Sequence, residues 1–357
     1  MSYMHLALEA SKKSLGICNP NPAVGAVIVK DGVVLSTGWT DKPGFDHAEK
    51  MAIQNCQSDL TGSSLYVTLE PCCHYGRTPP CTDLIINSGI SEIYISVKDP
   101  DKRVNGKGIQ TLLNAGLTVE VGDNEFESQK IMESHFKYSR TLLPFVTVKF
   151  AMSLDGKIST NSGESKWITN EKSRDYVHFL RAINDGVMIG SKTAMIDNPT
   201  LTSRGKHAPE SGRQPMRILL DSNLKTPTDF NIFNADAKTL VATSNDTDVI
   251  NLPNGHVIKK IGKNNGKLNL DEILKILGEM QIKSVLIEGG SQLIGDFFDK
   301  KKIDKIQAFV SPKIFGGHQA KSPVGGKGSE TMKDIEKLSD ISYKTFDDDF
   351  LITGYVK

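Results

Sequence analysis

Cysteine is missing from most of this chain: Cys18, Cys56, Cys72, Cys73 and Cys81 are all five, and none follows. An odd number of thiols crowded into one stretch is no disulfide framework, and points instead to a metal or a catalytic site. Long hydrophobic runs are missing too. The longest, such as Ala23 to Val29 and Ser284 to Ile287, fall far short of the ~18 residues of a membrane helix. The opening MSYMHLALEASKKS has no secretory h-region, so a cytoplasmic chain with no membrane partner is expected. Charge of one sign is also absent. Lys and Arg number 43 against 42 Asp and Glu, a net +1, and no basic block marks a nucleic-acid partner. Small-molecule substrates are the expectation.

The 357 residues are 38% hydrophobic, and at ~150 residues per domain the length predicts two domains. Met4, Leu8 and Leu15 share one face of a helix that Gly16 closes. Pro20 and Pro22 bar its continuation, and Ala23 to Val29 reads as a buried strand. Asp31-Gly32 turns it into a hairpin partner, Val33 to Gly38. A helix near His47 to Cys56 follows. Strands at Leu65 to Leu69, Ile93 to Val97 and Leu117 to Val121 alternate with helices near Thr82 to Ser88 and Gly108 to Ala115, which predicts an α/β sandwich on a mostly parallel sheet. One polar helix is expected over Asp123 to Tyr138, and a boundary near Pro144, giving domains 1–144 and 145–357. Beyond it, Phe145 to Met152 with a turn at Asp155-Gly156 reads as a second hairpin. Helices near Glu171 to Ala182 and Leu268 to Met280 then alternate with strands near Gly186 to Ile189, Arg217 to Leu220, Thr239 to Ala242, Val285 to Ile287 and Ile306 to Val310, so the second domain is also α/β.

His47-Ala-Glu49, followed by Pro71-Cys72 and then Cys81, supplies one imidazole, two thiolates and a carboxylate. That is the ligand set of an open catalytic zinc site, with His47, Cys72 and Cys81 as ligands and one position left for water. Zinc brings the pKa of bound water toward ~7, and Glu49 is the candidate to shuttle its proton. Nucleobase deaminases carry H-x-E and P-C-x-x-C; here eight residues separate the two cysteines. Asp46 and Glu49 also resemble a helix cap. Residues two apart on a helix project about 200° apart, so His47 and Glu49 meet at one ion only if His47 sits at the irregular helix entrance. Cys73 and His74 are alternative ligands, and Cys72 is favoured by its place after Pro71.

The segments Asn21-Pro22-Ala-Val-Gly25, His47-Ala-Glu49 and Tyr66 to Cys81 resemble the deaminase half of the bifunctional riboflavin-biosynthesis deaminase/reductases, whose cysteine spacing is the long one. Cys73 stands where that family commonly has Ser, and Thr40 where it commonly has His. The resemblance implies a cytidine-deaminase-like α/β/α sandwich that binds a pyrimidine ribotide, with Asn21, His74 and Arg77 facing substrate.

No Gly-x-Gly-x-x-Gly follows a strand, which argues against a Rossmann domain. Ser284 to Ser291 instead reads as a strand running into glycines that open a helix, Gln292 to Phe298, a place where free N–H groups attract phosphate. Phe150 to Lys157, Gly163 to Thr169, Gly190 to Arg204, Asp221-Ser222 and Glu288-Gly289-Gly290 resemble the reductase half of the same family, a dihydrofolate-reductase-like α/β domain. By that resemblance Ala151, Trp167, Thr193, Asp197, Ser222 and the turn Gly290, Ser291, Gln292, Leu293, Ile294, Gly295 and Asp296 lie against NADPH. Ser165, Arg181, Leu201, Arg204 and Glu288 face the substrate, with Arg181 and Arg204 suited to its phosphate. Asp155 and Glu288 are the candidates to assist reduction.

Zn2+ and NADPH are thus the expected cofactors, in two successive steps on one phosphorylated pyrimidine, and a homo-oligomer is expected. Two other readings stay open: a nucleic-acid base deaminase fused to an unrelated domain, and a structural zinc module joined to a nucleotide sensor, its site closed by Cys73 or His74.

Overall fold

A computed structural model describes residues 2–76, 78–210, 212–245 and 252–357; Arg77, named above as facing substrate, lies outside them. The chain divides into two compact units, Met1–Leu143 and Pro144–Lys357.

In the first unit the order is α1 (Tyr3–Lys12), β1 (Gly25–Lys30), β2 (Val33–Trp39), α2 (Ala48–Asn55), β3 (Ser64–Val67), α3 (Cys81–Ile86), β4 (Glu92–Ile95), α4 (Lys107–Asn114), β5 (Thr118–Val121), α5 (Glu125–Ile131) and α6 (Glu133–Thr141). The Asp31-Gly32 turn forms with both residues at positive φ, 50° and 77°, the geometry that a two-residue hairpin needs. The sheet runs β2-β1-β3-β4-β5. It is evenly mixed rather than mostly parallel: β1 is antiparallel to β2 and β3, while β3-β4 and β4-β5 are parallel. The hairpin orients β1 and β2, and only the later strands return by helical crossovers.

Two glycines set how closely helices approach this sheet. A Cβ on Gly25 would lie 1.9 Å from the Ala7 carbonyl oxygen in α1, and one on Gly38 would lie 2.2 Å from the Ala48 carbonyl oxygen in α2. Bare glycine therefore lets α2, which carries Glu49, rest directly on β2. The apolar face of the sheet packs Ala26, Ile28, Leu65, Val67, Ile93 and Ile95 against Ala48, Ala52, Ile85 and Leu112 of the helices. The helix expected over Asp123 to Tyr138 is two helices, α5 and α6, broken at Met132 (φ −105°, ψ 25°). That side chain is turned into the core at 2% exposure, so burial of one apolar residue outweighs the continuous helical pattern.

The second unit contains β6 (Phe145–Ser153), α7 (Glu171–Ile183), β7 (Gly186–Gly190), α8 (Ser191–Asp197), β8 (Met216–Leu220), β9 (Thr239–Thr243), β10 (Val257–Lys260), β11 (Lys263–Asn264), β12 (Lys267–Leu268), α9 (Leu270–Glu279), β13 (Ser284–Ile287), α10 (Ser291–Asp299), β14 (Lys305–Ser311), β15 (Leu338–Phe346) and β16 (Asp349–Val356). Its main sheet is ordered β10-β9-β8-β7-β13-β6-β14-β16-β15. The strands from β10 to β14 are parallel, and β16 and β15 close one edge as an antiparallel hairpin.

The hairpin expected at β6 does not form. Gly156 N–H does close a tight turn on the Ser153 carbonyl (2.9 Å), but both edges of β6 are taken by the parallel strands β13 and β14. The buried run Phe145 to Val148 is that of a central parallel strand covered on both faces.

Candidate active sites

His47 is the N-cap of α2, with extended backbone (φ −76°, ψ 162°) and no capping hydrogen bond from its side chain. This is the irregular entrance that convergence with Glu49 requires. Asp46, the alternative cap, instead pairs with Lys50 at 2.7 Å. Cys81 opens α3, and Cys72 lies in the loop after β3. The His47 Nδ1 atom is 3.3 Å from Cys81 Sγ and 3.6 Å from Cys72 Sγ, and the three ligand atoms all lie within 4.8 Å of one another.

A tetrahedral zinc with metal–sulfur arms of ~2.3 Å and a metal–nitrogen arm of ~2.0 Å has edges of roughly 3.5 to 3.8 Å. The donor set therefore fits zinc in both chemistry and size. Among the described residues no fourth His, Cys, Asp or Glu joins this group. Cys73 turns away, its Sγ 3.9 Å from the Arg103 carbonyl oxygen. His74 stands outside the group with its Nδ1 buried and without a hydrogen-bond partner. The closed, structural site is thus not what the side chains build.

The three side chains shift one another's protonation. The Cys72 thiol is held well below its ordinary value, chiefly by the hydrogen bond from Cys81, while Cys81 is pushed up by the same bond and by burial. His47 is raised, chiefly by its bond to Cys72. Backbone supports the same atoms: Cys81 N–H donates to Cys72 Sγ (3.3 Å) and Thr82 N–H to the Cys72 carbonyl (3.2 Å). Glu49 is 4% exposed. Burial raises its carboxyl to about 6, against the pull of His47, which suits a group that gains and loses a proton near neutrality.

Asn21 is half-buried, its backbone folded onto Cys18, whose thiol donates to the Asn21 carbonyl at 3.2 Å. Thr40 is buried and accepts the Val24 N–H through Oγ1.

In the second unit a cleft of about 1360 Å³ opens beside Gly190, Leu220 and Glu288, where β7 and β8 end and β13 has just ended. That is where open parallel sheets bind ligands. Thr193, Asp197, Ser222, Gly290, Ser291, Gln292, Leu293 and Asp296 line it, as do Ser165 and Glu288. Gly290 N–H donates to Thr193 Oγ1 (3.1 Å), tying the start of α10 to α8. The N-cap of α10 is Gly290, with no side-chain cap, so the first N–H groups of that helix remain for an anion.

Other expected residues lie elsewhere. Ile294 is buried in the core, and Gly295 packs on the backbone of Gly325. Ala151 is half-buried in β6 against the core, and Leu201 is inside it. Trp167 is 63% exposed with the Arg174 guanidinium 4.5 Å above its ring. Arg204 is exposed.

The guanidinium of Arg181 does not stand free for a phosphate. Its Nε and Nη2 atoms grip both oxygens of Glu288 at 2.6 and 3.0 Å. Lys149, which the sequence reading passed over, approaches Glu288 Oε2 at 3.8 Å; a lone lysine between Val148 and Phe150 was the available signal. Burial would raise Glu288, but Arg181 and Lys149 outweigh it and hold the carboxyl below its usual range. Asp155 is occupied as well. The Ser153 hydroxyl and the Phe315 and Gly316 N–H groups donate to it and keep it at about 2, so it braces two loops rather than supplying a proton.

Two family models match different parts of the chain. Residues 1–97 match the family described as the cytidine and deoxycytidylate deaminase zinc-binding region, and residues 144–352 match the RibD C-terminal domain. The class is a zinc-dependent deaminase carried on one chain with a reductase. The chain is 41% identical over 357 residues to the riboflavin biosynthesis protein RibD of Actinobacillus pleuropneumoniae, covering 99% of this chain and 94% of that protein.

It is also similar to the crystal structure of a Thermotoga maritima diaminohydroxyphosphoribosylaminopyrimidine deaminase/5-amino-6-(5-phosphoribosylamino)uracil reductase, at 38% identity, TM-score 0.88, and 99% and 98% coverage. Acinetobacter baumannii RibD matches at 32% identity with a TM-score of 0.90 over 99% and 98% of the two chains. The chain belongs to this RibD family of bifunctional riboflavin-biosynthesis enzymes. Its substrates are small molecules, and zinc and NADPH fit its two domains. Among the described residues no helix is long and apolar enough to cross a membrane.

Proposed function

We propose that residues 1–144 deaminate 2,5-diamino-6-ribosylamino-4(3H)-pyrimidinone 5′-phosphate and that residues 145–357 reduce the ribosyl side chain of the product to ribityl with NADPH. The observation that carries the first assignment is the convergence of His47, Cys72 and Cys81 beside the buried Glu49. Zinc held there makes water nucleophilic at neutral pH. Glu49 accepts the proton that water gives up as its oxygen bonds to C2, and returns it to the amino nitrogen as the C–N bond breaks, so that one water enters and one ammonia leaves. Asn21, His74 and Arg77 face the ribotide in this reading. The unpartnered Nδ1 of His74 is a polar atom that a substrate can satisfy.

In the second step NADPH, once bound, would supply a hydride to C1′ as the C1′–O4′ bond of the ribose opens, with O4′ taking a proton from solvent. Thr193, Asp197, Ser222 and the cleft-lining residues Gly290, Ser291, Gln292, Leu293 and Asp296 of the following turn hold the cofactor, the bare start of α10 meeting its phosphates, with Ile294 and Gly295 supporting that turn from the interior. Ser165 and Glu288, which line the same cleft, position the sugar, with Arg181 acting through Glu288; Ala151 and Trp167 toward the cofactor and Leu201 and Arg204 toward the sugar, all four outside the lining of the cleft, rest on the family resemblance alone. Positioning of donor and acceptor supplies most of the rate, since Asp155 and Glu288, the candidate acids, are both held below their ordinary values. The enzyme works as a cytoplasmic homo-oligomer without a nucleic-acid partner; the near-neutral charge supports the last point.

Dialysis against a strong chelator tests the division of labour. Ammonia release is expected to fall to background and to return with added zinc, while NADPH oxidation with the deaminated substrate continues at its original rate. Loss of both activities together would contradict independent sites.

A further inference from the structure

We propose that Glu70 is a positioning residue for the zinc ligand Cys72, setting it through the start of helix α4. This rests on the reading of His47, Cys72 and Cys81 as the zinc site and extends it to the residues behind the metal.

Glu70 is 3% exposed. Its carboxylate is enclosed by backbone donors from one segment: Asp99 N–H (3.2 Å) and Gly106 N–H (2.9 Å) donate to Oε2, and Ile109 N–H (3.2 Å) donates to Oε1. Helix α4 starts after Gly106, which sits at φ 87° and has no side chain to cap the helix. Glu70 supplies that cap from another part of the chain, satisfying N–H groups that would otherwise be orphaned and placing a negative charge at the positive end of the helix.

The cap bears on the metal site through a short, stiff connection. Pro71 alone separates Glu70 from Cys72, and its ring fixes φ. The Pro71 carbonyl lies against Gly108, where a Cβ would come within 2.2 Å of its oxygen. On its far side Cys72 is fixed by α3, through the Cys81 and Thr82 N–H groups. Cys72 is thus clamped between two helices, and Glu70 makes the α4 half of the clamp. The segment that Glu70 grips is itself anchored: Asp99 Oδ1 accepts the Asp101 N–H at 2.9 Å and pairs with the buried His135 Nε2 at 2.9 Å. The same segment draws Cys73 toward the Arg103 carbonyl and away from the ligand group. The adjacent thiols Cys72 and Cys73 are sorted into ligand and bystander by this packing.

Glu70→Gln keeps the shape and turns one acceptor oxygen into an NH2 group facing N–H donors. Zinc affinity, measured by competition with a chromophoric chelator, is expected to fall about 10- to 100-fold, as when outer-shell partners of metal ligands are lost. Cobalt-loaded protein should show altered d–d bands. Ammonia release should fall and recover with excess zinc, and NADPH oxidation should be unchanged.

A purely structural role predicts a lower unfolding midpoint with wild-type zinc affinity, wild-type cobalt bands and no recovery with zinc; that result would overturn the proposal. If Glu70→Gln does not fold, Glu70→Asp, which keeps the charge but shortens the reach, gives the same reading: weaker zinc binding supports the clamp and wild-type affinity overturns it. If the wild-type protein binds no zinc at this site, the zinc reading falls and the inference with it. Equal affinity of wild type and variant removes the inference alone.

Discussion

Glu49→Gln is expected to lower ammonia release by roughly 10²- to 10⁴-fold, the range over which a positioned general acid–base group contributes. The amide matches the carboxylate in size, so the variant should fold and retain zinc on His47, Cys72 and Cys81. What it loses is the ability to take a proton from water and return it to the leaving nitrogen. Reduction of the deaminated substrate should proceed at the wild-type rate, because the proposed reductase residues all lie beyond residue 144. Metal content, ammonia release and NADPH oxidation on one preparation decide the matter. A variant that keeps deaminating would remove Glu49 from the chemistry.

The second large effect is expected at Glu288. Its side chain is 9% exposed, with Arg181 at 13% and Lys149 at 17%, so Glu288→Gln leaves two mostly buried cations without their anion. Breaking a buried pair in this way destabilises by about 3–5 kcal/mol, and NADPH oxidation should fall at least about 100-fold while ammonia release persists. A second change, Lys149→Met, should recover part of the stability by removing one stranded charge, yet not the reduction.

The folded-state carboxyl of Glu288 lies below its ordinary value. Its contribution is therefore present above the unfolded pKa and lost as pH falls through the folded one. Wild-type protein should lose that increment in acid, and Glu288→Gln should not. Unfolding midpoints across pH, with and without the substitution, check this; identical acid profiles would show that the pair contributes nothing.

The first unit was the more legible in sequence because its signals are local. Asp31-Gly32 dictates a hairpin whatever surrounds it, and the His47, Glu49, Cys72 and Cys81 types name a metal before any fold is known. What sequence left open was geometry. Whether His47 and Glu49 converge depends on backbone angles at one helix entrance, and the choice between Cys72 and Cys73 depends on where the 99–109 segment lies. Neither is written in residue spacing.

The second unit was harder, for reasons of long range. The partners of β6 come from β13 and β14, far along the chain, so its edges could not be read from its own residues, and a turn at Asp155-Gly156 suggested a hairpin that the sheet does not use. Strands β15 and β16 went unseen. Leu338 to Phe346 is mostly polar and largely exposed on an edge, so it lacks the alternation that marks a half-buried strand. Arg181 illustrates the same limit: its type suits a phosphate, but its actual partner is a carboxylate more than a hundred residues away.

Zinc K-edge absorption on the purified protein addresses the central claim most directly. One zinc per chain is predicted, with two sulfur neighbours at ~2.3 Å and two lighter atoms at ~2.0 Å, one from His47 and one from solvent. The count should fall to one sulfur in Cys81→Ser and stay at two in Cys73→Ser. A third sulfur in the wild-type protein, or a sulfur lost on changing Cys73, would show a closed site and contradict the account.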